Sequence, residues 1–162
     1  MVALVTGSNG FIGKNLLVRL KEEGVEFSTF LRGETKHELE VKVTECDFIV
    51  HLAGVNRPKN ENEFTESNVD LTKLITNILQ KKKLKTPIIY TSSIQATLTN
   101  PYGNSKKIAE DVLNQLSINN GNLIYNYRLP NVFGKWCKPN YNSVVATFCH
   151  NIVNDLPIKI DN

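Results

Sequence analysis

The sequence has few of the residues that build disulfide frameworks and metal sites. Its three cysteines, Cys46, Cys137 and Cys149, are an odd number without metal-ligand spacing, which predicts reduced thiols in a cytoplasmic protein. The three histidines are scattered along the chain, so no metal site is expected. No apolar run is long enough to cross a bilayer and no secretory signal pattern is present, so we expect no membrane partner.

The sequence also lacks an excess of charge of one sign. Its 162 residues carry 19 lysines and arginines against 16 aspartates and glutamates, a net charge of +3. The one dense basic run, at residues 81–85, lies where a predicted helix ends, and cations suit that end of the helix dipole. No aromatic residues interleave with these lysines, as a surface for single-stranded nucleic acid would require. We therefore expect no nucleic-acid partner.

What the sequence does have is three glycines directly after an apolar run. Gly7, Gly10 and Gly13 follow residues 2–5 in the spacing G-x-x-G-x-x-G, and an apolar pattern of helical period comes next. Gly7 can take the tight turn, Gly10 leaves the backbone open to a phosphate, and Gly13 lets the helix lie close to the sheet. Free N–H groups at the helix start then face an anion. The pattern predicts a dinucleotide pyrophosphate site, to which the neighbouring residues also belong: Asn9, Phe11 and Ile12.

Strands and helices alternate along the rest of the chain. Apolar runs predict further strands at 26–31, 48–53, 88–92 and 123–129. Helical spacing predicts helices at 37–46, 61–84, 102–117 and 142–154, and an Asn-rich turn at 119–122. The alternation predicts an α/β fold of Rossmann type, a doubly wound parallel sheet in three layers with its site at the carboxyl ends of the strands.

A tyrosine and a lysine lie four residues apart on one predicted helix. Tyr102 and Lys106 form Y-x-x-x-K and so share one helix face. An ammonium group beside a phenol lowers the pKa of the phenol, which suits Tyr102 to proton transfer near neutral pH. The hydroxyl of Ser93, at the end of a predicted strand, could polarise the same substrate oxygen. We expect Ser93, Tyr102 and Lys106 to be the catalytic residues.

These motifs together resemble the extended short-chain dehydrogenase/reductases, the NAD-dependent epimerase/dehydratase family. The segments that carry the resemblance are the glycine loop, residues 51–54, 68–69 and 91–93, the Y-x-x-x-K pair, and residues 128–134. The resemblance implies that Tyr102 exchanges a proton with the substrate and that Lys106 binds the nicotinamide ribose. It implies further cofactor contacts from residues after the third and fifth strands: Leu52, Ala53, Gly54, Leu129 and Pro130. It implies substrate contacts from Ser93, Gln95, Asn131, Asn142 and Ser143.

A narrower resemblance is to reductases of capsular polysaccharide synthesis, in residues 51–58, 92–97, 100–103 and 130–143. It implies NADPH-dependent reduction of the 4-keto group of a UDP-4-keto-deoxysugar, of the UDP-N-acetyl-L-fucosamine type. Such chains are longer and form homo-oligomers. We therefore expect an NADP-binding domain at 1–130 and the beginning of a substrate-binding region at 131–162. The fold should be truncated before its end, and this piece alone should be inactive.

Two alternatives stay open at this stage. A nucleotide-sugar 4-epimerase uses the same Ser, Tyr and Lys but keeps its NAD, and an acidic residue then usually ends the second strand. Arg32 stands there and suits the 2′-phosphate of NADPH, which makes NAD the less expected cofactor. The other alternative is a dinucleotide-sensing module without chemistry, although such relatives commonly lose the tyrosine or the lysine. A dehydratase is disfavoured because Ile94 and Gln95, which cannot exchange protons, follow Ser93.

Overall fold

The protein was analysed as a computed structural model, which describes residues 1–55, 64–141 and 143–160. Its elements follow one another in the order β1 (Val2–Thr6), α1 (Phe11–Glu22), β2 (Glu26–Phe30), α2 (Lys36–Glu45), β3 (Phe48–His51), a π-helical segment (Thr65–Asp70), α3 (Leu71–Lys82), β4 (Ile88–Ser93), a 3-10 turn (Ile94–Thr97), α4 (Pro101–Asn120), β5 (Ile124–Leu129) and α5 (Val144–Val153).

The five strands form one parallel sheet in the order β2-β1-β3-β4-β5. The chain leaves β1 for one neighbour, β2, and then crosses back to form the other neighbour, β3. The carboxyl ends of β1 and β3 thus flank the point where the winding reverses, which is where ligands bind in folds of this kind. The prediction of a doubly wound parallel Rossmann-type sheet is confirmed.

Alternation along β1 assigns its side chains to two different cores. Leu4 belongs to the larger cluster, which packs under α2, α3 and α4 with members such as Leu39, Leu79 and Leu113. Ala3 and Val5 point the other way, into a smaller cluster with the leucines of α1: Leu16, Leu17 and Leu20. Because both faces of the strand are covered, it reads as an uninterrupted apolar run. The three layers predicted from the sequence are present.

Several predicted boundaries differ from the observed ones. Helix α4 runs on to Asn120, so Asn119 and Asn120 are helical and not part of the predicted turn. The helix ends at Gly121, which adopts the left-handed conformation (φ +76°), and Asn120 is held by a bond from its Nδ2 to the Leu84 carbonyl of 2.9 Å. Residues 94–97, between the predicted strand at 88–92 and the predicted helix at 102–117, form a 3-10 turn. The start of the predicted helix at 61–84 falls partly outside the described residues.

The chain divides into two compact units, Met1–Leu129 and Pro130–Asn162. The first holds the whole sheet and α1 to α4. In the second, α5 begins after Ser143, whose Oγ accepts a hydrogen bond of 3.2 Å from the Ala146 N–H. This cap satisfies one of the free N–H groups of the first helical turn.

Candidate active site

The glycine turn between β1 and α1 is closed to side chains. Gly7 has φ +71°, and a Cβ there would lie 2.6 Å from the Ala53 nitrogen, in the segment that follows β3. A Cβ on Gly13 would overlap the carbonyl of Gly7, so the first turn of α1 lies directly on the turn that follows β1. A side chain at Gly7 would push this turn away from the segment after β3, and a side chain at Gly13 would push the helix off the turn.

The amino end of α1 is free of competing groups. Its N-cap is Gly10, which offers no side chain to the first N–H groups, and its first turn carries no acidic residue. Asn9 and Gly10 are exposed, whereas Phe11 and Ile12 are half-buried. A helix start with open N–H groups and no local carboxylate fits the pyrophosphate of a dinucleotide. The residues present therefore fit the predicted cofactor.

His51, at the end of β3, ties β1 to α3. Its Nδ1 lies 2.7 Å from Thr6 Oγ1 and its Nε2 lies 2.8 Å from Thr72 Oγ1. Because Thr72 already donates its proton to the Asn68 carbonyl, Nε2 must be the protonated nitrogen and Nδ1 the acceptor. Burial, and secondly the charge of Lys106, lowers the pKa of His51 to about 3. His51 is a neutral connector and not an acid catalyst.

Asn68 continues this network toward α4. Its side chain exchanges two hydrogen bonds with the backbone of Val55, Oδ1 accepting at 2.7 Å and Nδ2 donating at 3.0 Å. Nδ2 also donates to Ser105 Oγ at 2.8 Å, and Ser105 donates to the Tyr102 carbonyl at 2.7 Å. The amide thus fixes the segment after β3 against the first turn of the helix that carries Tyr102. The network is buried, so each of its bonds is costly to break.

Tyr102 and Ser93 are brought together by the short connection between β4 and α4. Asn100 caps α4 through a bond of 2.7 Å from the Gly103 N–H, and Pro101 occupies the first helical position. A Cβ on Gly103 would overlap the carbonyl of Gln95, so the helix start lies directly on the 3-10 turn that follows Ser93. This arrangement brings the Ser93 hydroxyl near enough to the Tyr102 phenol to act on the pKa of Tyr102.

Lys106 is buried, with 5% of its surface exposed, and is held from several sides. Its Nζ donates to the Thr91 carbonyl at 2.9 Å and lies 5.0 Å from the centre of the Tyr90 ring. A Cβ on Gly54 would come within 3.1 Å of the same Nζ, so Gly54 leaves the ammonium uncovered on that side. Such a donor suits the hydroxyl groups of a ribose.

The expected effect of Lys106 on the pKa of Tyr102 is not what the structure shows. Burial raises the pKa of Tyr102, and the hydrogen bond from Ser93 opposes this rise only in part. The ammonium is directed to the Thr91 carbonyl and the Tyr90 ring, so its field does not dominate at the phenol. The prediction of a lowered pKa for Tyr102 is therefore wrong. Lys106 is itself perturbed, because burial lowers its pKa to about 8.

Arg32 stands at the tip of a tight turn after β2. The Glu34 N–H donates to the Leu31 carbonyl at 3.3 Å, and Gly33 between them has φ +100°. The carboxylate of Glu34 folds back to accept from the Leu31 N–H and pairs with Lys42. Glu34 is thus engaged within the turn, and the exposed Arg32 is the cation presented beyond the carboxyl end of the strand.

Other residues that the sequence predicts to bind cofactor or substrate lie at a strand end, at exposed positions or at a helix cap. Leu129 pairs with Ser93, a candidate catalytic residue, at the ends of β5 and β4. Gln95 is exposed in the 3-10 turn, and Pro130 and Asn131 are exposed in the second unit. Ser143 is buried and uses its hydroxyl to cap α5, and Asn142 lies outside the described residues. The substrate-binding roles of these residues stay predictions.

Reasoning from the sequence did not assign roles to the residues that connect the site. His51 and Asn68 belong to motifs that the sequence displays, yet their functions in the network follow only from side-chain contacts with residues 13 to 45 positions away. The sequence does contain a signal for His51, because a polar residue inside an otherwise apolar run must find hydrogen-bond partners when it is buried. Glu110, four residues after Lys106, is buried at 2% exposure and was also missed.

Two other kinds of feature were sought in the part of the chain that the structure describes. There, no helix is both long and apolar enough to cross a membrane. The same residues contain no group of three His, Cys, Asp or Glu side chains that could hold a metal ion.

Comparison with known proteins identifies the family. A model of the NAD dependent epimerase/dehydratase family matches residues 3–161. The UDP-2-acetamido-2,6-beta-L-arabino-hexul-4-ose reductase of Pseudomonas aeruginosa is 49% identical over this whole chain, which covers 44% of that relative. The predicted family resemblance is thereby confirmed.

Solved structures give the same result for the fold. The capsular polysaccharide assembling protein CapF from Staphylococcus aureus matches with a TM-score of 0.82 and 45% identity over all of this chain and 44% of its own length. A UDP-glucuronic acid 4-epimerase from Bacillus cereus, in complex with NAD, matches with a TM-score of 0.83 over 99% of this chain and 66% of its own, but at 19% identity it shows the fold alone. The chain spans less than half the length of the first two relatives. It belongs to the NAD-dependent epimerase/dehydratase family, whose Rossmann fold holds a nicotinamide dinucleotide.

Proposed function

We propose that this chain is the cofactor-binding part of an NADPH-dependent reductase that acts on the 4-keto group of a UDP-4-keto-deoxysugar in surface polysaccharide synthesis. The observation that carries the proposal is the group of Ser93, Tyr102 and the buried Lys106 at the carboxyl end of β4. The reductase of Pseudomonas aeruginosa, at 49% identity, supports the choice of a ketosugar, and the similarity to CapF supports capsular precursors of the UDP-N-acetyl-L-fucosamine type.

Each of the three residues has a distinct task in such a reduction. The bound nicotinamide supplies the hydride. Ser93 donates a hydrogen bond to the substrate carbonyl oxygen and so favours the charge that develops there. Tyr102 delivers its phenolic proton to that oxygen, and burial raises its pKa, which keeps the proton on the phenol until it is needed. Lys106 binds the ribose hydroxyls from beside Gly54 and restores the proton on Tyr102 through them.

The surroundings of Ser93 favour reduction over elimination. A dehydratase needs an acid and a base next to the serine, and the 3-10 turn offers Ile94 and Gln95 instead. Neither side chain can transfer a proton. The geometry therefore supports a single proton donor, Tyr102, which is what reduction of a ketone requires.

Arg32 supports NADPH as the cofactor. It is exposed at the tip of its turn, while the nearest carboxylate, that of Glu34, is held by Lys42 and the Leu31 N–H. The 2′-phosphate of NADPH could accept charge-assisted hydrogen bonds from the guanidinium. A 4-epimerase with retained NAD is the competing function, because the same Ser, Tyr and Lys serve it.

The test combines binding with turnover. Calorimetry on the 162-residue chain should show NADPH binding, while NADPH oxidation with a UDP-4-ketosugar should require a polypeptide extended to the length of the relatives. Copurification of tightly held NAD, with interconversion of 4-epimers and no net oxidation of NADPH, would establish the epimerase instead. Failure of the 162-residue chain to bind either dinucleotide would contradict both functions.

The other partners follow from this proposal. The substrate is a UDP-sugar, and Asn131, Asn142 and Ser143 are the residues proposed to contact it. A homo-oligomer of the longer enzyme and a cytoplasmic location stay predictions. Gel filtration with light scattering on the extended polypeptide would test the first of these.

A further inference from the structure

A buried carboxylate lies one helical turn beyond Lys106. Glu110 follows Lys106 by four residues on α4, so the two side chains share a helix face. Only 2% of the surface of Glu110 is exposed. Carboxylates are rarely buried to this extent unless they are paired. The proposed chemistry assigns no role to Glu110.

Two strands hold the Glu110 carboxylate in place. Arg128, on β5, grips it with two hydrogen bonds, Nε to Oε1 at 2.9 Å and Nη2 to Oε2 at 2.6 Å. Ser92, directly opposite Arg128 on β4, donates to Oε1 at 2.5 Å. On its own helix, Glu110 is also near Lys107, which pairs with the exposed Asp111 at 2.5 Å.

This arrangement is more than is needed to join α4 to the sheet. Arg128 has 41% of its side chain exposed, so water could solvate its charge without Glu110. A buried ion pair is seldom more stabilising than apolar side chains of the same size. A requirement for negative charge at this position is therefore the better explanation, and Lys106, one turn earlier on the same helix, is the buried cation on which that charge would act.

Among the residues that the structure describes, the other groups that face Lys106 are uncharged. Tyr90, from β4, presents its ring to the ammonium, and its hydroxyl is buried without a hydrogen-bond partner. Tyr102 precedes Lys106 on α4, and His51 on β3 is neutral in the tautomer described above. Burial lowers the pKa of Lys106 to about 8, and the charge of Glu110 acts against that lowering.

We propose that Glu110 is a positioning residue that acts through Lys106: its carboxylate keeps the Lys106 ammonium charged, while Arg128 and Ser92 fix the carboxylate. This proposal rests on the proposed function only in assigning the ribose to Lys106. The electrostatic part concerns the chain itself and can be measured without turnover. Loss of the Glu110 charge should make Lys106 release its proton at lower pH, and cofactor affinity should then fall within the physiological range.

The first experiment measures the titration of Lys106 in the 162-residue chain by NMR of lysine side-chain nitrogens, assigned with Lys106→Arg. Glu110→Gln should lower the titration midpoint by about 1 pH unit. Asp111→Asn removes the same charge from the exposed side of the same helix and should leave the midpoint in place. Arg128→Gln removes a cation and should move the midpoint the other way, upward. Equal midpoints in wild type, Glu110→Gln and Arg128→Gln would overturn the proposal.

The second experiment follows NADPH binding by calorimetry at pH 6.5 and pH 9. Glu110→Gln should bind nearly as well as wild type at pH 6.5 and about tenfold more weakly at pH 9. Glu110→Asp keeps the charge and should restore most of the affinity. A merely structural role predicts the same loss at both pH values, which would contradict the proposal. If Glu110→Gln does not fold, the upward shift in Arg128→Gln decides the question.

The two proposals can fail separately. A shifted Lys106 midpoint in a chain that does not bind NADPH supports the role of Glu110 and contradicts the proposed cofactor. NADPH binding with an unshifted midpoint supports the proposed cofactor and overturns the role of Glu110.

Discussion

The two sides of the candidate site differ in their chemical groups: one consists of backbone and the other of buried polar side chains. On the β1–α1 side, the site consists of the backbone of the glycine turn, which we call the glycine cradle. Its shape depends on glycines that leave no room for a Cβ. On the β3–β4–α4 side, buried polar side chains are linked in series, from Thr6 through His51 and Asn68 to the helix of Tyr102. A pyrophosphate needs only N–H groups of fixed shape. Proton transfer needs groups whose charge and position are both controlled.

The difference predicts how each side responds to substitution. A glycine cradle fails by steric overlap, so its loss is abrupt and independent of pH. A polar network fails by leaving a buried group unpaired or wrongly charged, so its losses depend on pH and are coupled between members. The following substitutions test this contrast.

Tyr102→Phe should have the largest effect on chemistry. The substitution removes the phenolic proton but preserves the aromatic ring. The centre of this ring lies 6.0 Å from the centre of the Phe64 ring. Turnover in the active enzyme should fall by about 10²–10⁴-fold, since a positioned acid typically contributes that much. NADPH binding, measured by calorimetry, should change little. Tyr125→Phe, on an exposed tyrosine of β5, is the matched control, and a retained rate of more than a tenth would show that another acid serves.

Gly7→Ala should have the next largest effect and tests the glycine side. Gly7 and Gly24 share nearly the same φ, +71° and +65°, but a Cβ meets backbone at Gly7 and nothing within 4 Å at Gly24. Gly24→Ala should therefore cost only the left-handed strain, about 1–2 kcal/mol of the free energy of unfolding. Gly7→Ala adds steric overlap, for about 2–5 kcal/mol in total, and should abolish NADPH binding. Denaturant unfolding measures the loss of stability, and calorimetry measures the loss of NADPH binding. Equal losses in Gly7→Ala and Gly24→Ala would mean that the turn at Gly7 has room for a side chain.

His51 should make the stability of the chain depend on pH. Burial lowers the pKa of His51 to about 3, below the value of about 6.5 in an unfolded chain, so its contribution is present above pH 6.5 and is lost as the pH falls. Between pH 7 and pH 5 the loss should be about 2 kcal/mol. Urea unfolding between pH 5 and pH 7 should show this decrease in the free energy of unfolding in the wild type. The control His37→Gln, at an exposed histidine, should show the same decrease, and His51→Gln should show a smaller one. A slope that persists in His51→Gln would assign it to other groups.

Arg32→Ala should have the smallest effect, because the side chain is exposed and its bond to a phosphate is partly screened. NADPH affinity should fall by about 1.5 kcal/mol, roughly tenfold, with NADH nearly unchanged. Arg19→Ala, another exposed arginine whose partners are Glu22 and Glu23, serves as the control. Similar losses for both dinucleotides would show that Arg32 does not read the 2′-phosphate.

The same contrast separates what the sequence predicts from what it does not. The glycine turn, the parallel sheet and the expectation that Tyr102 and Ser93 serve the same substrate oxygen depend on local spacing and on the rule that parallel strands end together. The orientation of Lys106 depends on the Thr91 carbonyl and the Tyr90 ring, which no spacing reveals, and the prediction about the pKa of Tyr102 failed for that reason.

Boundaries were missed where distant contacts override local preference. Asparagine favours turns, yet Asn120 stays helical because the Leu84 carbonyl accepts its side-chain proton across 36 positions. Likewise, α2 begins at Lys36, before the predicted start at His37, because Thr35 and Glu38 form a capping box. The residues of that box were visible in the sequence and could have placed the start correctly.

The position of β1 between β2 and β3 has a consequence for synthesis on the ribosome. This strand precedes both of its sheet partners in the chain, so its two hydrogen-bonding edges wait for later segments, and the contact from Thr6 to His51 spans 45 positions. At about 5–20 residues per second, the second edge stays unpaired for roughly 2–9 s. During that interval an apolar strand with open edges is exposed to other nascent chains, which makes β1 the segment that a ribosome-associated chaperone would be expected to protect.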